Sequence, residues 1–362
     1  MKLLVLLLKE FLQFFRNKGL LIFALYAFTL DIYLASTGID LTLKRAPFFA
    51  EDRDLSKTSR ELISKFPPYY FKFKGYILND RETQKVLLND EAVGVVVIPP
   101  KFEKRLLRGE KVKVGVIVNG AEVSSSYLFS AYATRIITDF LTGGLAGKLP
   151  FAPQVRIFFN QDASSRIFMA YSELLTVITL LLLLLPASAL VLEKERGNIE
   201  MLLISPVNTT LFTVAKSVSM GALVLILTAL ALKITIEKVV GVPFKGEFLD
   251  FLTLTAAYAF TTTGLSLFIA SVSENMLQVS QLTILILIPI LYLSGNWTPI
   301  EAMPKAFQLL SNLSPLKYYI EGALSIAIKG MSLSQVKGDF FKLLILGGIL
   351  FGSGTYLIRR RG

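Results

Sequence analysis

The sequence predicts a polytopic α-helical membrane protein of six transmembrane helices, with an α/β extracytoplasmic domain inserted between spans one and two. Three observations carry that reading. Hydrophobic residues make up 53% of the 362 residues, and mean hydropathy is +0.58, high for a chain that is 18% charged. Apolar runs long enough to cross roughly 30 Å of hydrocarbon recur along the chain. Between the first two of them lies a long segment too rich in charge for any bilayer to accept, with runs such as Glu51-Asp52-Arg53-Asp54 and Glu103-Lys104-Arg105.

The leader, residues 1–18, comes first. Its stretch Leu3–Phe15 is apolar but interrupted by Lys9, Glu10 and Gln13. It is too short to span and suits an interfacial helix lying on the inner leaflet. The spans follow at about Gly19–Ile39, Ile167–Leu192, Thr210–Leu232, Leu249–Val272, Leu277–Gly295 and Phe340–Ile358. The first sits behind a charged leader and has no clean small-residue cleavage site, so it reads as an anchor and not as a signal peptide. Lys2, Lys9, Arg16 and Lys18 lie before it, and Arg359-Arg360-Arg361 follow the last. An even number of spans puts both clusters on one side, and the positive-inside tendency makes that side the cytoplasm of a cell (inner) membrane. Lys233, Lys238, Lys245, Lys305, Lys317, Lys329 and Lys337 fall in the short outer loops and weaken that bias.

The insert, residues 40–166, alternates strand and helix patterns. Val93–Ile98 is a β-branched run stopped by Pro99-Pro100, and Val112–Val118 is another, stopped by Asn119-Gly120. Phe102–Arg108 and Tyr127–Leu141 read as helices. A domain of this length can bury its own core. Long inserts escape the positive-inside count, so this one can sit outside despite its basic balance.

Composition removes whole classes of function. Cysteine and histidine are both absent, which excludes disulfides, thiolate metal sites, the usual zinc ligand and any Ser-His-Asp arrangement. The net charge of +11 is assigned to anionic lipid heads and not to nucleic acid. Gly143–Leu149 fails the spacing of a phosphate-binding loop and lacks its hydroxyl. The chain is expected to catalyse nothing itself and to bind no metal and no cofactor.

The most informative stretch is 193–209, the loop after span two. Span two runs on into Arg196, and Gly197 is a natural left-handed stop for that helix. Asn198 is a good N-cap for a short second helix, with Glu200 near its positive end. Ile199, Leu202 and Leu203 can dip into the interface while Glu193 and Glu200 face water. Pro206 closes the block. On residue types alone an ordinary solvated loop explains it equally well.

At these residues the chain resembles the permeases of type-2 ATP-binding-cassette exporters, in the branch with a long extracytoplasmic insert. The family loop, E-[KR]-E-x-G-T-x-E-x-L-x-x-[ST]-P, is matched at Glu193, Glu195, Gly197, Glu200, Leu202, Ser205 and Pro206, with Asn198 in place of threonine. Both residues cap helices, so the role survives. Val93–Leu107 with Val112–Gly120 looks like the branch's outer domain. Thr263-Gly264-Leu265 through Ser271 looks like its fourth span. Gly295, Pro299, Met303-Pro304 and Pro315-Leu316-Lys317-Tyr318-Tyr319 resemble the short outer helices, here 296–339, that follow its fifth.

The resemblance implies a homodimer or heterodimer of permeases resting on separate cytoplasmic ATPase subunits, which would hold the ATP and magnesium. The leader and the block containing Glu193, Glu195, Arg196, Gly197, Asn198, Glu200 and Pro206 would act as coupling helices. Closure of the ATPase would drive export of a drug, lipid or glycolipid, and the outer domain could meet a periplasmic partner. Two rival classes stand beside this reading: an ion-coupled secondary transporter, and a non-transporting sensor or scaffold. The former needs midplane carboxylates and internal repeats; no repeat is evident.

Asp31 and Glu173 are the candidate pathway residues. A carboxyl inside a span is costly and faces protein or water. They could line a polar path, or lie in the outer headgroup zone paired with Lys233, Lys329 or water. Phe11, Phe14, Phe15, Trp297, Tyr318 and Tyr319 are read as interfacial belts.

Overall fold

The computed structural model describes residues 2–38, 43, 45–89, 91–110, 112–118, 123–146, 165–197, 209–298, 300 and 303–361. The chain forms two compact units, Met1–Asp40 with Phe158–Gly362, and Leu41–Ile157.

The first unit is the helical membrane body. Its leader helix, Lys2–Arg16, ends where Asn17 accepts a hydrogen bond from the Leu20 amide at 3.3 Å and starts a new helix. Among the described residues six helices are long and apolar enough to cross a membrane: Lys18–Gly38, Ser165–Glu195, Phe212–Val240, Phe248–Val272, Met276–Leu293 and Lys337–Arg360. Large apolar side chains such as Leu25, Leu34, Ile226, Leu285, Ile345 and Ile349 are exposed on their outer faces, as expected of surfaces solvated by lipid.

Span two is the most enclosed of the six. Its 31 residues reach roughly 45 Å at the helical rise per residue, longer than the hydrocarbon. Pro186 sits inside it and cannot donate to the carbonyl one turn back. The nearby Leu183 carbonyl accepts from Ser266 Oγ of span four at 2.9 Å, the kind of neighbouring-helix partner that lets membrane helices tolerate proline.

Spans one and three each contain a wider π-helical stretch, Ala27–Asp31 and Ala231–Val240. The two are joined: Thr235 Oγ1 donates to the Phe28 carbonyl at 2.9 Å. A π turn disturbs the regular ladder, and the threonine supplies a donor there. Span three therefore continues well past the expected boundary at Leu232, ending at Gly241 with φ +75°. Lys233 and Lys238 lie in this helix and not in a loop, because Lys233 pairs with Glu237 one turn on at 3.0 Å.

Spans four and six pack at backbone distance. A Cβ on Gly264 would fall on the Phe351 amide nitrogen, and one on Gly354 would meet the Gly264 carbonyl. Small residues permit such approaches where no water drives helices together. Thr261 Oγ1 seals the contact with a 2.8 Å hydrogen bond to the Leu343 carbonyl.

Helices Lys305–Ser311 and Pro315–Lys329 follow span five, and the second corrects the aromatic reading. Tyr319 is fully buried, stacked on Tyr258 with ring centroids 4.1 Å apart and planes 7° from parallel. Its hydroxyl meets Thr255 at 2.8 Å, while Tyr258 donates to Thr179 at 2.9 Å. Tyr318 and Phe14 are buried too. A tyrosine can leave the interface for a helical core when a threonine satisfies its hydroxyl. Trp297 and Phe15 are exposed at 61% and 54%, as a belt requires.

The second unit is α/β. Strands β1 (Ala46–Asp52), β2 (Phe71–Ile77), β3 (Gly94–Ile98) and β4 (Gly115–Val118) form one sheet in the order β2-β1-β3-β4. β1 runs parallel to β2 and β3, and β4 is antiparallel to β3. Helix Lys57–Ser64 lies in the first crossover and Asp80–Leu88 in the second. Phe48, Phe66, Phe71 and Phe129 pack at the centre. Past β1, Asp54 accepts from the Glu103 amide at 3.0 Å. Desolvation opposes ionisation of Asp54, but the backbone donors of Glu103, Phe102 and Lys101 and the Ser56 hydroxyl prevail and hold its pKa below the ordinary value. Helix Phe102–Leu107 is thereby fixed at its start. The expected β3, β4 and two flanking helices are present with slightly different ends; β1 and β2 were not marked in the sequence.

Replacing Gly264 with valine should force spans four and six apart and cost about 1–3 kcal/mol. Thermal unfolding of the detergent-solubilised chain should move to lower temperature, while Gly348→Val, where a Cβ meets nothing within 4 Å, should leave it in place. Equal stability of the two variants would contradict the packing.

Candidate functional site

The end of span two is where the expected coupling residues begin. The helix closes at Glu195; the Arg196 amide donates to Leu192 at 3.2 Å and the Gly197 amide to Lys194 at 3.0 Å. Gly197 has φ +69°, the left-handed stop its type suggests. Arg196 is exposed. Asn198, Glu200 and Pro206 lie outside the described residues.

This helix end is fastened in three directions. Glu195 Oε1 accepts from the Met276 amide at 2.8 Å, capping the first turn of span five. Lys194 Nζ donates to the carbonyls of Ala270 at 2.8 Å and Ser273 at 3.4 Å, where span four ends. Glu193 points inward and is only 3% exposed, not water-facing as expected. Its carboxylate lies 3.3 Å from Lys216 Nζ and 3.8 Å from Lys9 Nζ.

Lys216, itself 1% exposed, also bonds Glu10 at 2.8 Å, and its ammonium lies 5.0 Å from the centre of the Phe212 ring. The leader, span two and span three thus meet on one buried ammonium held between two carboxylates. Sequence reading noted Glu10 only as an interruption and gave Lys216, near the start of the third span, no role. Their signal was cost: a charge within an apolar helix needs a partner, and opposite charges on two such helices can supply one.

The second candidate site lies at the other end of spans one and two. Asp31, the last residue of the π stretch, and Glu173 are both half-buried, and their carboxyl groups face each other. Lys233 and Lys329 pair elsewhere, with Glu237 at 3.0 Å and Ser325 at 3.3 Å. Two neutral links stand nearby on span two: Tyr171 donates to the Pro243 carbonyl at 3.0 Å, and Asn296 Nδ2 to Thr176 at 3.3 Å.

Replacing Lys216 with methionine should strand two buried carboxylates and destabilise the body by about 3–5 kcal/mol. The triple change Lys216→Met, Glu10→Leu and Glu193→Leu removes all three charges and should recover most of the loss. Thermal unfolding in detergent measures both. A single variant as stable as the parent would show that the three groups do not share one buried site.

Comparison with known proteins places this geometry. A model of the ABC-2 family transporter protein matches residues 19–357. The chain is 28% identical over 349 residues to the inner membrane transport permease YhhJ of Escherichia coli (strain K12), covering 95% of this chain and 93% of that one. It is 23% identical over 341 residues to the probable multidrug ABC transporter permease YbhR of the same strain, covering 92% and 91%. A third relative there, the probable multidrug ABC transporter permease YbhS, is 24% identical over 276 residues, covering 74% and 72%. With the match extending from the first span to the last, the chain belongs to the ABC-2 family of transporter proteins.

Proposed function

We propose that the chain is the membrane-spanning half of an ATP-driven exporter, pairing with a second permease and resting on a separate ATPase that binds ATP and magnesium. The observation that carries this is the fastening of Glu193, Lys194 and Glu195. A force applied just beyond Gly197 reaches spans three, four and five and the leader through direct polar bonds. Such a helix end is suited to receive the movement of an ATPase. Arg196, Asn198, Glu200 and Pro206 would complete the docking surface. Hydrolysis would occur in the partner, with no catalytic group supplied by this chain.

The cargo is proposed to be hydrophobic or amphipathic, a drug, lipid or glycolipid; two relatives carry the word multidrug in their names. The location is proposed to be the inner membrane, as in the name of the first relative. Both termini would face the cytoplasm, because Lys2, Lys9, Arg16, Lys18 and Arg359-Arg360-Arg361 cluster there. Unit Leu41–Ile157 would then be extracytoplasmic and free to meet a periplasmic partner.

Topology and coupling are separately testable. Single cysteines introduced at Ser56 or Ser125 should react with an impermeant thiol reagent in intact cells, and one at Ser205 should not; labelling at Ser205 overturns the orientation. Gly197→Val should cost about 1 kcal/mol or more locally at a left-handed backbone and misplace the next segment. Glu200→Lys should weaken docking. Both variants should reach the membrane yet lose substrate-stimulated ATP hydrolysis in the co-purified complex, and normal stimulation in both would remove the coupling role.

The energy source has its own test. Asp31→Asn should change transport by less than about threefold, because the amide keeps the shape of the side chain and removes only its charge. Transport into vesicles should survive collapse of the proton gradient and stop when the phosphate-loop lysine of the ATPase is replaced. The opposite pattern would identify an ion-coupled carrier.

A further inference from the structure

The leader helix, span two, the start of span three and the first residue of span five enclose a cavity of about 660 Å³, within the range of small-molecule sites. Its walls carry charges of both signs in separate places. Lys9, Arg16 and Arg196 line it and are exposed. Glu10 and Ser188 line it from the interior and are almost wholly buried. Glu10 gives one carboxylate oxygen to Lys216; its Oε1, like Ser188 Oγ, is buried without a hydrogen-bond partner among the described residues. Buried polar atoms rarely go unsatisfied, so this interior is built for a donor that the described residues do not provide.

Apart from Gln13 and Asn17 the remaining surface is apolar, with Leu185 and Leu192 among the lining residues. The leader beside it exposes Leu12 and Phe15, as a helix lying among lipids does. A simple anion would satisfy the cationic lip and be repelled by Glu10. A simple cation would suit Glu10 but must pass three like charges. A head group with a phosphodiester and an N–H-bearing ammonium answers both, and its acyl chain finds the leucine wall.

We propose that this cavity holds the head group of a phosphoethanolamine lipid from the leaflet on the side of the chain termini. The phosphate meets Arg16 and Arg196, and the primary ammonium donates to Glu10 Oε1 and Ser188. A choline head has no N–H to give, and a glycerol head carries no positive charge for the carboxylate. The cavity shares Arg196 and the leader with the proposed docking surface, but lipid binding is read without any ATPase, so its failure would leave the transport reading untouched.

The test is native mass spectrometry of the full-length chain in detergent, titrated with lysophosphatidylethanolamine, lysophosphatidylcholine and lysophosphatidylglycerol of one chain length. The ethanolamine lipid should bind at least about tenfold more tightly than either of the others. The double change Arg16→Gln and Arg196→Gln should remove about tenfold of that affinity, and Ala189→Trp should fill the cavity and abolish retention. If Ala189→Trp fails to fold, the exposed arginine pair carries the test. Equal binding of the three lipids overturns the proposal, as does ethanolamine binding unchanged by the arginine variants. So does equal binding of the glycerol and ethanolamine lipids that is lost together in those variants, because the lip alone would then explain it.

Discussion

One ammonium holds the terminal-side end of the membrane body together. Lys216 is buried between Glu10 of the leader and Glu193 of span two, at 2.8 and 3.3 Å. Removing three charged groups from water is expensive, and such clusters seldom stabilise a fold relative to apolar packing. What they do is penalise every arrangement in which a partner is missing. A leader helix held only by Leu and Phe side chains could slide along the bilayer surface at little cost. With Glu10 committed to Lys216 it has one position, and that position is tied to the last turn of span two.

The neighbouring bonds spread this constraint. Lys194 holds the end of span four and Glu195 the start of span five, so three consecutive charged residues bind three different parts of the body. Elsewhere the body is not uniform. Spans four and six are locked by glycines at backbone contact, where sliding would break close packing throughout. Spans one and three carry the π stretches, bridged by Thr235 and Phe28, and a helix that already departs from its regular ladder can shift by a turn's fraction without losing a full set of bonds. Rigidity and compliance are therefore assigned to different pairs of helices.

How much of this was legible in the sequence follows from which signals are local. The spans were, because length and hydropathy are properties of a run. The stop at Gly197 was, because a left-handed helix end favours glycine. β3 was legible as Val95-Val96-Val97-Ile98, and β1 was not, because it begins Ala46-Pro47 and ends in acids; β2 does alternate, as Phe71-Lys72-Phe73-Lys74, and that short signal was passed over. Tyr319 was misplaced because an apolar run does not say which face meets lipid and which meets protein. Glu193 was read as water-facing for a related reason: its partner Lys216 stands in another helix, and a charge inside an apolar run shows that a partner is needed without showing which one.

The two ends of span two are fastened by different chemistry, and that difference has a mechanical consequence. At the terminal-side end every bond carries a charged partner, and the Glu10–Lys216–Glu193 cluster is buried, so breaking it strands a charge. At the other end span two is tied by Asp31 to Glu173, Tyr171 to Pro243 and Asn296 to Thr176. Apart from the carboxyl pair these are neutral hydrogen bonds, each contributing about 1 kcal/mol net and able to exchange partners with water or a polar ligand. A displacement entering at Gly197 would therefore be transmitted with little slack through the ionic end and relieved at the far end, where bonds exchange most cheaply. For a helix about 45 Å long by its rise per residue, that gradient in bond strength concentrates the change at the end opposite to where the force is applied.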